Sequence, residues 1–177
     1  MKREGQGQGA MRIIGLDPGL RHTGWGVVAV DGNRLRHIAD GAVHARADGS
    51  LAERLVALFE GLGRVMAEYR PDEAAVEETF LNRNPGSTLK LGAARGVVLL
   101  APALRGIPVA EYSANLIKKA VVGAGHADKH QIEVMVRMLL PGTVAAADAA
   151  DALAVAICHA HHLQTQRALG RAAAAAP

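Results

Sequence analysis

Four acids stand in apolar surroundings in this sequence. Asp17 ends the run "MRIIGLD", Glu77 ends "EAAVE", and Asp148 and Asp151 interrupt "AAADAADALAVAI". Two carboxylates spaced i, i+3 share one helix face, with Cβ atoms about 5–6 Å apart, and like charges so placed are destabilising unless neutralised. A divalent cation is the economical neutraliser. Carboxylate oxygens are hard ligands that suit Mg²⁺ or Mn²⁺ rather than zinc. Two such ions, about 3.5–4 Å apart, clamp the attacking and leaving oxygens of a phosphodiester. Each acid also has a plainer explanation. Asp17, before Pro18-Gly19, could cap a turn; Glu77 and Glu78 could end a strand in water; Asp148 could be a helix N-cap.

The elements that must position these acids follow from pattern. Residues 12–17 read as a strand covered on both faces, and "TGWGVVAV" at 23–30 as a second. "DGN" at 31–33 is a hairpin turn leading into a third strand over about 34–44. Leu51, Leu55, Leu58, Leu62 and Val65 then fall at helical spacing, with Ser50 and Glu53 forming a capping box and Pro71 a stop. "EAAVEE" at 73–78 is a fourth strand. The loop "TFLNRNPGS" precedes a helix from about Ser87 to Leu104. "IPVAEY" at 107–112 is a fifth strand, followed by helices at about 113–121, 129–140 and 145–167, with Asp128 and Gln131 capping the middle one. The order β-β-β-α-β-α-β-α is that of the ribonuclease-H-like fold, a mixed five-stranded sheet with helices on both faces. There the first and fourth strands are parallel neighbours about 4.8 Å apart, so Asp17 and Glu77 would meet at one sheet edge.

Composition bounds the rest. The chain has 177 residues, half of them hydrophobic and few aromatic, enough for one domain with a full core. We expect a flexible leader at 1–10, a single nuclease domain at 11–167 and a disordered tail at 168–177. The net charge is +3; setting four acids aside in one site makes the remaining surface more basic still, which suits a polyanion. One cysteine, Cys158, excludes an intramolecular disulfide. No run is long and apolar enough for a membrane span, and "MKREGQGQGA" has no signal-peptide core. A cytoplasmic protein without membrane contact is expected.

The blocks "GLDPGLRHTGWGVV", "VEETFLNRNPGSTLKLGAARGV", "KKAVVGAGHADKHQIEVMVR" and "ADAADALAVAICH" resemble, in order and over about residues 11–162, the RuvC family of Holliday-junction endonucleases. The resemblance implies a homodimeric, Mg²⁺-dependent enzyme (Mn²⁺ able to substitute, two ions per subunit) that nicks opposed strands of a four-way DNA junction. It places the metal ligands on Asp17, Glu77, Asp148 and Asp151. It gives Lys118 and Lys129 roles in DNA contact and cutting, where an ammonium offsets transition-state charge. Phe80 would stack on a base opened at the junction and Arg83 would contact a phosphate. The helix with Gly92 and Gly96 would lie at the dimer interface, and the branch-migration complex RuvAB is an expected partner.

Two rival functions define what to look for. Actin-like or hexokinase-like kinases and ATPases share the fold and a similar first hairpin, but need a second glycine-rich phosphate loop and about double the length. A junction-binding module without catalysis would lack one of the carboxylates. In "CHAHH" at 158–162, Cys158 and His162 have i, i+4 spacing, but zinc wants four converging ligands; histidines facing solvent or DNA at a helix end are expected instead.

Overall fold

The computed structural model describes residues 10–78, 84–143 and 147–174, with only the backbone of 147 and 148. Five strands form one sheet in the order β3-β2-β1-β4-β5. β1 (Met11–Asp17), β2 (His22–Asp31) and β3 (Arg34–His44) make an antiparallel meander. Its second turn, between β2 and β3, is tight because Gly32 takes the left-handed conformation, φ 57°, which a residue without Cβ adopts freely. β4 (Glu73–Glu77) and β5 (Val109–Tyr112) add in parallel on the other side of β1. The parallel β1–β4 pairing is the one the acids required.

Alternation along β1 divides the core in two. Ile13 belongs to one cluster, and Ile14 and Leu16 to the other; all three are fully buried. Each such side chain contributes about 1.5–3 kcal/mol on leaving water. One face is covered by α1 (Leu51–Tyr69) and α2 (Pro85–Ala103). The other is covered by α3 (Ala114–Val122), α4 (Lys129–Leu139) and the long α5 (Ala147–Ala174). Gly15 sets how closely α5 lies on β1: a Cβ there would stand 2.0 Å from the Ala152 carbonyl oxygen. The helix backbone therefore rests on the strand itself.

The structure departs from pattern at four places. Leu51 is 41% exposed, because burial deepens along α1 only as it meets the sheet, reaching Leu58 and Leu62 at 0%. α2 starts at Pro85, before Ser87, since Asn84 Oδ1 accepts from the Gly86 and Ser87 N–H groups (2.9 and 3.2 Å) and proline suits the first helical position. β5 starts at Val109, although the Pro108 carbonyl already accepts from Ala74 N–H at 2.8 Å. α5 runs to Ala174 rather than ending near 167, so 168–174 of the expected disordered tail is exposed helix; alanine and arginine favour that state.

Candidate active site

The acids reach one sheet end by strand parity. Gly15 on β1 faces α5, and Ala75 on β4 lies in the core beneath it. Two residues on, Asp17 and Glu77 project to the same face. The parallel register pairs Leu16 with Val76; one further step sets Asp17 abreast of Glu77. The chain is turned back directly after Asp17. Buried Thr23 donates from Oγ1 to the Gly19 carbonyl at 2.8 Å, and a Cβ at Gly19 would meet the His22 carbonyl oxygen at 2.2 Å. Asp17 is thus held at the base of a short, sterically closed loop.

α5 runs antiparallel to β4, since His159 meets Glu73 at one end and Asp151 interacts with Glu77 at the other. Glu77 and Asp151 line a cavity of about 60 Å³ together with Lys118, Ile117 and Ile132. Burial pushes the Glu77 carboxyl above its ordinary 4.5, the Asp151 charge pushes it further, and the Lys118 ammonium pulls it back. Lys118 is carried by α3, whose first turn is capped by the Ser113 hydroxyl accepting from Leu116 N–H. Lys129 opens α4 behind a capping box in which Asp128 and Gln131 bond each other's backbone. Its Nζ donates to Asp151 Oδ2 at 2.9 Å. Glu77, Asp151 and Lys118 therefore line one small space, with Lys129 paired to Asp151 beside it, and the first turns of α5 supply a favourable end of the helix dipole for carboxylates.

Other expected residues are placed less fully. Asp148 lies in the first turn of α5, one turn before Asp151, and its side chain is outside the described residues. Phe80, Asn82 and Arg83 are also outside them, while Asn84 serves as the α2 cap. Among the described residues, no group of three or more His, Cys, Asp or Glu converges as a ligand set would. The pair that is brought together fits a hard divalent cation: both donors are carboxylates, and half-buried Glu77 resists carrying its charge beside Asp151. A larger cavity of about 340 Å³ opens by Arg46, Asp48, Glu53 and Arg54, but Arg46 is paired with Asp48 at 2.7 Å and Glu53 caps Ser50.

Sequence reasoning missed His159. Far from facing solvent at a helix end, it is 4% exposed in the middle of α5 and bonded on both ring nitrogens, to Tyr112 and Glu73. His161 meets the Ala120 carbonyl at 3.2 Å, and His162 alone of the three is exposed. Cys158 is buried, which pushes its thiol up to about 11. The only available signal for His159 was its position in an otherwise small and apolar helix.

Comparison with known proteins agrees with the geometry. The family profile described as crossover junction endodeoxyribonuclease RuvC matches residues 13–159. A curated relative of that description from Paramagnetospirillum magneticum is 64% identical over 165 residues, 93% of this chain and 99% of its own. The structure of Thermus thermophilus RuvC in complex with a Holliday junction superposes with a TM-score of 0.82 at 35% identity, covering 88% of this chain and 96% of that one. The yeast mitochondrial Holliday junction resolvase shares the fold, with a TM-score of 0.63 at 11% identity over 90% of this chain and 83% of its own. With the acids on the ends of parallel β1 and β4 and on the first turns of the helix laid across them, the chain belongs to the RuvC family of crossover junction endodeoxyribonucleases.

Proposed function

We propose that this protein is a structure-selective endonuclease that resolves four-way DNA junctions by paired nicks in opposed strands, at a site built on Asp17, Glu77, Asp148 and Asp151. The observation that carries the reading is the meeting of Glu77 and Asp151, from distant segments, in one small cavity flanked by Lys118 and Lys129. The family membership and the junction-bound relative support the substrate. A divalent cation held by these acids, Mg²⁺ or Mn²⁺ and two per subunit, would supply an activated water and stabilise the departing 3′ oxygen. Lys118 partly offsets the burial and the Asp151 charge that raise the Glu77 carboxyl, and so favours its ionised, ligating form. Lys129 orients Asp151, and both ammonium groups offset charge that grows on the scissile phosphate. Phe80 and Arg83, following Glu77 in sequence, would stack on an opened base and hold a phosphate.

Synthetic four-way, three-way and linear duplexes, incubated with and without Mg²⁺, test this directly. Paired nicks confined to the four-way junction and dependent on Mg²⁺ are expected. Equal cutting of linear duplex, or cutting in EDTA, would overturn the reading. Asp17→Asn is expected to abolish cutting while junction affinity stays near that of the parent, because phosphate contacts and shape carry the binding.

A homodimer is proposed from the outer face of α2. Leu89, Leu100 and Leu104 are 76%, 49% and 65% exposed, and open space surrounds Gly92 and Gly96 between them. A second copy packed on this face would set two sites on a two-fold axis, matching a junction with opposed strands. Leu100→Glu should yield a monomer in sedimentation that no longer makes paired nicks. A cytoplasmic setting and cooperation with the branch-migration complex RuvAB are part of the same proposal; among the described residues no helix is long and apolar enough to cross a membrane.

A further inference from the structure

The buried chain Tyr112–His159–Glu73 has no part in the chemistry above. Tyr112 Oη stands 2.7 Å from His159 Nδ1, and His159 Nε2 stands 2.7 Å from Glu73 Oε2. The Tyr112 hydroxyl, pushed up to about 12 by burial and then by Cys158 and Glu73, keeps its proton and can donate to Nδ1. Nε2–H then donates to the Glu73 carboxylate, and every group is satisfied. His159 and Glu73 join α5 to β4 at the sheet end opposite the acids, and Tyr112, which is abreast of Glu77 on β5, reaches the same imidazole. Between Asp151 and His159, α5 meets β1 at Gly15 through Ala152 and Ala156 and meets β2 through Leu153, which packs against Gly26. Methyl groups make shallow ridges and apolar burial is non-directional, so the alanine contacts define axial register less sharply than directional hydrogen bonds do.

We propose that His159 is a positioning residue: its bonds to Glu73 and Tyr112 fix the axial register of α5 on the sheet and thereby set the separation of Asp151 from Glu77. The spacing supports this. Eight helical residues from His159 to Asp151 span about 12 Å. Four strand residues from Glu73 to Glu77 span about 13 Å. Helix and strand therefore run equal lengths from the pinned pair to the acidic pair, and any axial slip at the first is transmitted in full to the second. The inference rests on the acids being the cutting site.

His159→Phe, which keeps bulk and removes both bonds, and His159→Gln, which retains a donor and an acceptor, test the assignment. Each is assayed for junction affinity without divalent metal, for single-turnover nicking across a Mg²⁺ series, and for Tm across a Mn²⁺ series without DNA. His159→Phe should lower the saturating rate about 100-fold, as expected for misplacement on the ångström scale. It should also raise the half-saturating Mg²⁺ and Mn²⁺ concentrations about tenfold, with junction affinity within about twofold because the phosphate-binding surface is untouched. His159→Gln should recover most of both. Parent-like half-saturation in His159→Phe overturns the proposal, as does a glutamine variant as defective as the phenylalanine one. Should His159→Phe fail to fold, Tyr112→Phe removes one bond only and must still raise the half-saturating metal concentration; parent-like values there overturn the proposal equally. A parent protein that does not nick the junction at all would instead sink the reading of the acids, and this inference with it.

Discussion

β4 carries two glutamates to the same face of α5, and they meet opposite treatment. Glu73 finds His159 as a hydrogen-bond partner, and that bond is continued to Tyr112. Glu77, four residues on, finds Asp151, a like charge, in a buried setting. A fold concerned only with its own stability would treat the second end as it does the first, since a half-buried carboxylate facing a like charge is costly. The contrast separates an acid that holds structure from one that we propose is kept for a ligand, though both end up beneath the same helix.

Converting one end into the other is the sharpest way to test that contrast. Glu77→Gln should abolish nicking, by about 1,000-fold or more if it removes a charged group from the reacting centre, measured under single turnover. The same change should raise stability in EDTA by about 0.5–1 kcal/mol in urea denaturation, because a neutral amide relieves a repulsion. Glu73→Ala should do the reverse on stability, costing about 1–3 kcal/mol by leaving a buried imidazole N–H without its acceptor. If Glu77→Gln proved less stable than the parent, Glu77 would belong with Glu73 as a structural group.

The pH dependence follows from the same difference. The folded state holds Glu77 above its ordinary 4.5, so it binds a proton that the unfolded state has released. Without metal, its contribution to stability is therefore most favourable at low pH and declines as pH rises from 4.5 through the raised value. Saturating Mg²⁺ should flatten this segment of the stability profile, and Glu77→Gln should delete it. Lys118→Met removes the charge that pulls Glu77 down, so the acidic limb of the rate profile should move to higher pH. A limb that stays in place would remove Lys118 from the electrostatics of the site. The smallest effect is expected at Asn84→Ala, which loses an α2 cap at a cost of about 1 kcal/mol, read from urea denaturation with little change in cutting rate.

Much of this was legible before any coordinates. The acids at 17, 77, 148 and 151 lie on elements whose order fixes β1 beside β4, and strand parity then determines the face. Lys129 was legible only through resemblance, and its ion pair with Asp151 depends on α4 docking that no local pattern encodes. His159 was misread because α5 is apolar nearly all round: with no polar stripe, the pattern could not say which side of the helix faces the sheet. Asn84-Pro85 offered a start signal for α2 that was read as loop. The exposure of Leu89, Leu100 and Leu104 was not legible, since a helix with an uncovered apolar face has the same periodicity as one buried by its own sheet.

α5 is the last element in chain order, and it supplies both Asp148 and Asp151 along with much of one core. During synthesis at about 5–20 residues per second, the segment bearing Asp17 and Glu77 emerges well before the helix that completes the constellation. A nascent chain lacking that helix has neither its interior closed nor all four acids of the proposed site. The proposed site is therefore incomplete until α5 has emerged, a consequence of element order alone.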